Sequence, residues 1–317
     1  MGKAVQDRMR VTRGILLAAL GGTCWGFSGC CAQLLTTQYG LEPGWIICVR
    51  LPCAAVLFLL VAIARDRARL KGALHDKKTI AGIVLFAFFG ILLVQYSYLT
   101  AISLTNAGTG TVMERLGLVL LTALVCVMAR RLPRAREVIG VVLAIAGTIL
   151  IATKGSLDGL AIPPEALLWG FLLACGFVGY TLLPEKMLEK WGSFVVTGLG
   201  MLVAGVVMIA VERPWEVQVQ FSAGLLAALF AMVFIGTFLA YLFYLQGVKE
   251  AGAMRAGLVG CIEPVAATVI SAVWLQTAVT WADIVGMVLI LGMVVLVTVK
   301  PKKQKRGDSG VSQDQAG

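Results

Sequence analysis

One apolar stretch, residues 253–275, restricts the fold of this chain more than any other feature of the sequence. As an α-helix rising about 1.5 Å per residue, it is long enough to cross the roughly 30 Å core of a lipid bilayer. Glu263 lies in the middle of the stretch, and Pro264 follows it directly. A carboxylate near the centre of a bilayer costs at least about 2.5 kcal/mol on the most lenient scale. We therefore predict a membrane-spanning helix whose glutamate needs an internal partner or a water-filled cavity.

The residues around Glu263 predict a helix that bends and packs closely. Pro264 lacks a backbone donor and loosens the helix one turn back, near Gly260. Gly257 and Gly260 belong to overlapping small-xxx-small pairs, which let a second helix approach closely. Pro52 is expected to bend an earlier span. We predict these four residues to be hinges in a protein that moves, rather than features of a passive anchor.

The composition places the chain among helical membrane proteins. Of its 317 residues, 59% are hydrophobic and 14% are charged, whereas about a quarter of a soluble domain is charged. All eight cysteines lie inside apolar runs, so we expect small core residues rather than disulfides or metal ligands. The single histidine, His75, lies in a basic loop, which excludes a histidine-built metal site. No cofactor or metal is predicted, and the distribution of the net charge of +10 does not indicate nucleic-acid binding.

Ten apolar runs predict an all-α polytopic membrane protein with ten transmembrane helices. The first run is too long for the core of a signal peptide, so we expect it to remain as the first helix. A basic arm, residues 1–13, precedes it, and a polar tail, residues 300–317, is expected to be disordered. The predicted spans are 14–36, 44–64, 79–99, 106–129, 137–153, 165–184, 192–211, 222–246, 254–275 and 282–299.

The distribution of lysine and arginine predicts the orientation of the spans. Nearly all of the 27 basic residues lie in the arm, the tail and alternate inter-helix loops. The loops on the opposite side carry only Lys154 and Arg213, and Arg50 and Arg115 lie within spans. By the positive-inside rule, both termini are expected to be cytoplasmic in a multi-pass protein of the cell membrane, plasma or inner.

The two halves of the chain resemble each other weakly. At an offset of 146 residues, Phe88 and Gly90 of the third span fall on Phe234 and Gly236 of the eighth. Because five spans per half is an odd number, the second half enters the membrane from the opposite side and forms a 5+5 inverted repeat. Such repeats place a substrate site near the midplane and support alternating access. The predicted units are a first five-helix repeat at 14–153, an external linker at 154–164 and a second five-helix repeat at 165–299.

Four short motifs follow one another along the chain: Trp25-Gly26, Arg50, Glu263-Pro264 and the segment from Gly286 to Gly292. In this order they resemble the motifs of the EamA branch of the drug/metabolite transporter superfamily. Trp25-Gly26 matches the tryptophan-glycine pair of the family's first helix, and Arg50 matches its arginine in the second. Glu263-Pro264 matches the glutamate-proline motif of the ninth helix, and the segment from Gly286 to Gly292 resembles the closing glycine pattern. The resemblance covers roughly residues 14–299, and its order over two five-helix halves is more specific than any one motif.

The chain departs from the family's pattern in two places. Glu114-Arg115 stands in the first half where the family usually has glutamate-proline, and Gly286 and Gly292 are six residues apart rather than seven. Members of the family move amino acids, other small metabolites or toxic compounds, mostly outward. The resemblance therefore implies a transporter, and most directly an exporter.

Four charged residues inside spans are candidates for the midplane or for coupling. Glu263, and in the same way Glu114, either binds a proton or a cationic substrate group, or is a fixed hydrogen-bond acceptor between helices. Arg115 points about 100° away from Glu114 and either locks onto another helix or binds a substrate carboxylate. For Arg50 the alternatives are snorkelling to the outer interface, pairing with Glu114, or binding an anionic substrate group.

A set of aromatic and polar residues predicts a substrate cavity. On the eighth span the members recur at helical spacing and share a face, and polar groups facing lipid would be costly. The alternative is a core of packed tyrosines whose hydroxyls are satisfied. The predicted cavity residues are Trp25, Gln95, Tyr98, Phe234, Thr237, Tyr241 and Tyr244.

The sequence favours a secondary transporter that exports amino acids or related small metabolites by alternating access. No Walker A pattern is present, so ATP hydrolysis by this chain is not expected. One alternative is a non-transporting membrane subunit or sensor. Another is an integral membrane enzyme acting on lipid-linked substrates, which is disfavoured because the charges are scattered rather than clustered. The expected partners are a small-molecule substrate and the bilayer, and a homodimer is left open.

Overall fold

The computed structural model of the protein describes residues 2–128, 130–132, 135–156, 161–252, 256, 259–260 and 262–298. Throughout these residues the regular secondary structure is helical, without a β-strand. An all-helical fold is thus confirmed. The predicted tail 300–317, part of the predicted linker (157–160), the predicted hinge Gly257 and the cysteine at position 261 lie outside the described residues.

The described residues of the first half form seven helices and one π-helical segment. Where the chain enters a helix, polar side chains satisfy the free backbone amides. Asn106, for example, accepts a hydrogen bond from the Thr109 amide at 2.9 Å. The elements are α1 (Gly2–Thr37), α2 (Pro43–His75), α3 (Lys77–Phe86), the π segment Ala87–Leu92, α4 (Leu93–Leu104), α5 (Ala107–Arg115), α6 (Gly117–Met128) and α7 (Ala135–Thr153).

The second half is built in the same manner from the elements that the structure describes. The hydroxyl of Ser222 accepts from the Leu225 amide at 3.2 Å and caps the eleventh helix. The elements are α8 (Pro164–Leu182), α9 (Glu185–Trp191), α10 (Ser193–Glu212), α11 (Ala223–Phe230), the π segment Ala231–Leu239, α12 (Ala240–Ala251), α13 (Ile262–Trp274) and α14 (Trp281–Thr298).

Within the described residues, seven helices are long and apolar enough to cross a membrane. They are Arg8–Thr37, Pro43–His75, Lys77–Leu104, Ala107–Met128, Pro164–Leu182, Ser193–Glu212 and Ala223–Ala251. Shorter apolar helices, Glu137–Thr153, Ile262–Trp274 and Trp281–Leu296, occupy the other three predicted runs. Large apolar side chains such as Val142 on α7 and Val288 on α14 are more than half exposed, as expected for helices that face lipid.

The two π segments lie at related positions in the two halves. Shifting Ala87–Leu92 by the offset of 146 residues found in the sequence gives 233–238, which falls inside Ala231–Leu239. A π-helix forms i→i+5 hydrogen bonds and is frequent at functional sites. At the end of each segment the backbone follows this pattern, because the Leu93 amide donates to the Phe88 carbonyl and the Ala240 amide donates to the Ile235 carbonyl, each five residues back. The break in helical geometry is therefore repeated in both halves.

Helix packing joins the two halves along their whole length. α1 packs on α12 and α13, while α8 packs on α4, α5 and α6. α2 packs on α10, and α7 packs on α14. The α2–α10 contact is close because Gly205 faces the ring of Pro52, where a β-carbon on the glycine would lie 2.7 Å from the proline Cγ.

An ion pair between Asp76 and Lys190 connects the two halves at one end of the bundle. Asp76, in the turn before α3, accepts a hydrogen bond from Lys190 of α9 at 2.8 Å and from the Thr79 hydroxyl at 2.9 Å. These contacts, above all that with Lys190, hold the pKa of the Asp76 carboxyl well below its usual range.

We expect Gly205→Ala to destabilise the protein by about 1–3 kcal/mol, because a rigid proline ring cannot move away from the added methyl group. The thermal unfolding midpoint of the purified protein in detergent should fall. Gly292→Ala is the matched control, since its nearest neighbour, a Leu143 methyl, lies 4.0 Å from the added carbon. Equal midpoints for the two variants would contradict the close contact between α2 and α10.

The Asp76 carboxyl should add an acid-sensitive contribution to stability. Because its pKa is depressed in the folded protein, this contribution is present above the unfolded pKa of about 3.9 and is lost as pH falls below it. The difference in unfolding midpoint between wild type and Asp76→Asn should be constant from about pH 7 to about pH 5 and shrink below about pH 4. Asp66→Asn, at an exposed pair with Arg69, should give a smaller difference; an equal one would contradict the assignment.

Candidate functional site

A buried ion pair joins the two halves inside the apolar part of the bundle. Arg115, in the last turn of α5, donates from Nη2 to a carboxylate oxygen of Glu263 in α13. The two side chains are 14% and 7% exposed. The structure thus gives Glu263 the internal partner that its apolar surroundings require, and Arg115 contacts another helix. The neighbouring Glu114 is half-buried and makes no ion pair within 4.0 Å in the part of the chain that the structure describes.

The local backbone explains why Arg115 can turn toward α13. α5 ends at Arg115, and the Leu116 amide bonds to the Met113 carbonyl at 3.0 Å, three residues back. The helix resumes at Gly117, where a β-carbon would lie 2.5 Å from Cβ of Phe177 on α8. A tighter turn therefore follows Glu114-Arg115 without a proline, while Leu116 keeps right-handed helical angles (φ −61°, ψ −23°). A cation at the C-terminal end of a helix is also favoured by the helix dipole.

Arg50 is buried near this pair but is only partly satisfied. It is 6% exposed, and its Nε donates to the Thr237 hydroxyl at 3.2 Å. Its Nη1 has no hydrogen-bond partner within the described chain. Arg50 interacts electrostatically with the phenols of Tyr98 and Tyr241 and, least strongly, with the carboxyl of Glu114, but forms no ion pair within 4.0 Å among the described residues. Burial among these groups leaves no role for snorkelling.

Aromatic rings from four helices meet beside Arg50. The Trp25 ring lies 4.9 Å from that of Tyr244 and 5.5 Å from that of Tyr241, centroid to centroid. Tyr241 also meets the Phe58 ring edge-on at 5.3 Å, and its hydroxyl is hydrogen-bonded to that of Tyr180 on α8. Sequence reasoning missed Phe58 and Tyr180. Tyr180 could have been found from the sequence, because its phenol lies in an apolar span, as that of Tyr241 does.

Phe234 lies in a row of phenylalanine rings on the π segment. Phe234 stacks on Phe230 at 5.3 Å, and Phe230 is 63% exposed. The expected shared face assumed regular α-helical spacing, but i→i+5 bonding widens the turn and rotates residues relative to one another. Thr237 is directed to Arg50 and Tyr241 to Trp25. Phe234 also contacts Phe238 at 5.9 Å, and Phe238 in turn meets the Phe58 ring at 5.8 Å.

The predicted polar residues of α4 lie close to the same region. Tyr98 is 7% exposed, and its hydroxyl approaches α1 so closely that a β-carbon on Gly29 would lie 2.7 Å from it. Gln95 is half-buried, and its Oε1 has no hydrogen-bond partner in the described chain. Buried polar atoms without partners are uncommon in folded proteins and each calls for an explanation.

The predicted hinges are placed as follows. Gly260 faces α1, where a β-carbon on Gly22 would lie 3.0 Å from the Gly260 carbonyl oxygen. Pro264 is buried in α13. Pro52 lies within α2, and the non-helical backbone angles inside α2 occur further on, at Asp66. The close approach at Gly260 is the packing that small-xxx-small pairs predict.

An acidic cavity at one end of the bundle was not predicted. It has a volume of about 680 Å³ and lies between the α1–α2 and α10–α11 connections. Its lining includes Tyr39, Glu42, Trp45 and Glu212, and no lysine or arginine among the described residues. The two carboxylates, Glu42 and Glu212, lie at span ends next to loops that are poor in basic residues. This sequence pattern could have indicated the acidic cavity.

Residues 12–153 and 165–299 each match the EamA-like transporter family, and the chain belongs to that family. The resemblance noted in the sequence is therefore confirmed. Family and fold together indicate a multi-pass membrane transporter rather than an enzyme. Such a protein handles small-molecule substrates within a membrane.

Individual relatives agree with this class. An uncharacterized inner membrane transporter, YicL, from Salmonella typhimurium is 27% identical over 294 residues, which cover 93% of this chain and 98% of that protein. An uncharacterized transporter, YyaM, from Bacillus subtilis is 24% identical over 251 residues, covering 76% of this chain and 80% of that protein. A solved crystal structure aligns with a TM-score of 0.57 at 16% identity, over 92% of this chain and 96% of that one, and shows a shared fold.

The Arg115–Glu263 pair should behave as one unit in a double-mutant cycle. Glu263→Gln and Arg115→Gln should each destabilise the protein by about 3–5 kcal/mol, because each leaves a buried charge without its partner. The double variant should be clearly more stable than the sum of the two changes predicts. Unfolding midpoints in detergent measure all three. Additive effects would mean that the two side chains do not depend on each other.

Proposed function

We propose that the protein is a secondary transporter that exports amino acids or related small metabolites by alternating access. The observation that supports this most is the Arg115–Glu263 pair, which connects the two family-matched segments across the interior of the bundle. Arg50, Glu114 and a group of phenols lie around it. Charges inside apolar spans are costly and usually mark a substrate or ion pathway. The outward direction is supported by the family resemblance.

The proposed architecture is ten transmembrane helices in a 5+5 inverted repeat. Two features support it. The π segments occur at related positions in the two halves. The packing is also symmetric: exchanging the halves converts the contact of α1 with α12 into that of α8 with α4, and leaves the α2–α10 and α7–α14 contacts unchanged. The proposed repeats are 14–153 and 165–299, joined by an external linker.

In the proposed topology both termini are cytoplasmic. This follows from the concentration of lysine and arginine in the arm, the tail and alternate loops. The acidic cavity that contains Glu42 and Glu212 then opens on the outer side of the membrane. An exported substrate would leave the protein through it.

The proposed transport cycle moves the halves against each other around the buried charges. Pro52, Gly257, Gly260 and Pro264 are the proposed hinges. Trp25, Gln95, Tyr98, Thr237, Tyr241 and Tyr244 contact substrate, and Phe234 lies at the edge of this set. Glu263 binds a proton or is held by Arg115 through the cycle. Rocking of two repeats about a fixed central site is the usual mechanism of inverted-repeat transporters.

Counterflow in proteoliposomes tests the proposal. Purified protein is reconstituted, the vesicles are loaded with a mixed pool of amino acids and metabolites, and exchange is followed by mass spectrometry. We expect selective exchange of a few compounds. Glu263→Gln should reduce exchange by about tenfold or more, because a charge-assisted contact is lost from the centre of the moving interface.

Glu216→Gln serves as the control, because that carboxylate is 60% exposed and exchange should not change. Exchange that survives Glu263→Gln would restrict Glu263 to helix packing. No exchange by well-folded protein would contradict transport and favour a non-transporting subunit or sensor. Chemical conversion of a compound in the pool would instead favour an enzyme.

A further inference from the structure

α6 and α7 follow each other in the chain but are separated by open space over much of their length. α6 ends at Met128 and α7 begins at Ala135, and a connection this short usually joins helices that pack side by side. Here α6 packs mainly on α8, and α7 packs mainly on α14. In the described part of the chain, cavities of about 620 Å³ and about 250 Å³ lie between α6 and α7. The α6–α7 hairpin is therefore open where a close contact is expected.

The two cavities lie along one groove, which we call the α6–α7 groove. Their lining residues recur three and four positions apart on each helix, and this spacing keeps side chains on one face. α8 closes the deeper, 250 Å³ end with Leu167 and Phe171. The residues that show the spacing are Leu120, Ala123 and Val127 on α6 and Val138, Val141 and Ile145 on α7.

The length of the groove is close to the thickness of one bilayer leaflet. Its lining extends along the α6 side from Leu116 to Arg130, which is about 21 Å at the helical rise of about 1.5 Å per residue. One leaflet, with its headgroup region, is about 20–22 Å thick, since the whole bilayer is about 40–45 Å. A molecule that fills the groove therefore has the dimensions of a membrane lipid.

The wall of the groove is mostly apolar, but one end is positively charged. Arg130 and Arg131 line this end, and the sequence 130–137 contains four arginines and one acidic residue. That residue, Glu137, accepts hydrogen bonds from both terminal nitrogens of Arg131, each at 2.8 Å. Arg130 is exposed and forms no ion pair within 4.0 Å among the described residues. Its charge at the end of the groove is therefore available to an anion.

Large apolar side chains surround this charge. Val127 is 72% exposed and Leu132 is 89% exposed, and both line the groove beside Arg130. An apolar surface that ends in a cation matches the boundary between the acyl chains and the phosphate of a phospholipid. In the proposed topology this end is cytoplasmic, and anionic lipids are concentrated in the cytoplasmic leaflet. A zwitterionic lipid fits less well, because its own cation would be repelled by Arg130.

We propose that an anionic phospholipid binds in the α6–α7 groove, with its acyl chains between the two helices and its phosphate on Arg130. The phosphate accepts charge-assisted hydrogen bonds from the guanidinium. The chains replace the missing contact between α6 and α7, and so support the α7–α14 pair against the rest of the bundle. This lipid site is separate from the buried charges between the halves, and it does not depend on the proposed transport function.

Native mass spectrometry of the purified full-length protein in a nonionic detergent tests the proposal. The probes are phosphatidylglycerol and phosphatidylcholine with identical acyl chains, and binding of the first lipid is followed over a concentration series. We expect phosphatidylglycerol to bind about tenfold more tightly than phosphatidylcholine, because only its headgroup has a net negative charge. Glycerol phosphate, which has the phosphate but no chains, should not be retained at the same concentrations.

Two variants act on different parts of the groove. Arg130→Gln should weaken phosphatidylglycerol binding about tenfold and leave phosphatidylcholine binding unchanged, which removes the preference. Arg67→Gln, at an exposed arginine of α2, is its control and should bind as wild type does. Ala123→Trp should weaken both lipids about tenfold, because the indole occupies the space of the chains. Its control is Ala146→Trp, at an exposed alanine of α7 that lines neither cavity.

Equal binding of the two lipids by wild type would overturn the proposal, as would an Arg130→Gln variant that keeps the preference. Retention of glycerol phosphate would indicate a free-anion site instead of a lipid site. If Ala123→Trp converted a dimer into monomers without changing lipid retention, the groove would be an interface between copies of this chain. Should Ala123→Trp fail to fold, Arg130→Gln still decides, because selective loss of one lipid differs from a general loss of folding.

Discussion

A charge inside an apolar span must be satisfied within the protein, and the pairing of Arg115 with Glu263 is the interaction on which the centre of this structure depends. It fixes α5 against α13 and thereby one family-matched segment against the other. The backbone adapts to it on both sides. α5 ends directly after Arg115, and α1 approaches the Glu263 carbonyl so closely that a β-carbon on Gly26 would lie 2.7 Å away.

Other polar side chains near this pair lack some of their hydrogen-bond partners in the described chain. Arg50 has an unpaired Nη1 and Gln95 an unpaired Oε1 in the described chain, and Glu114 lacks an ion pair there. The contrast has a physical meaning: a fully paired network rigidifies a core, whereas an incomplete one leaves interactions for a ligand. The buried Arg115–Glu263 pair and the Asp76–Lys190 pair at the bundle end both connect the two halves.

The packing around the buried charges is compatible with movement of the two halves. The π segments interrupt regular hydrogen bonding in α3–α4 and α11–α12, close to the point where Thr237 meets Arg50. Small residues let helices of opposite halves touch along their backbones, so that little side-chain interdigitation has to be broken. The acidic cavity at one end of the bundle has Glu42 and Glu212 in its lining.

The sequence by itself determined the class of protein, the family, most of the spans and the need of Glu263 for a partner, because hydropathy and local motifs are properties of neighbouring residues. Only the tertiary structure decided which partner it would be, since Arg115 lies 148 positions away and the alternatives could be separated only by packing. The same holds for Tyr180, which meets Tyr241 across the halves, and for the acidic cavity, whose two carboxylates come from distant connections. A π segment replaces α-helical spacing around Phe234, and apolar sequence patterns do not reveal that change of period.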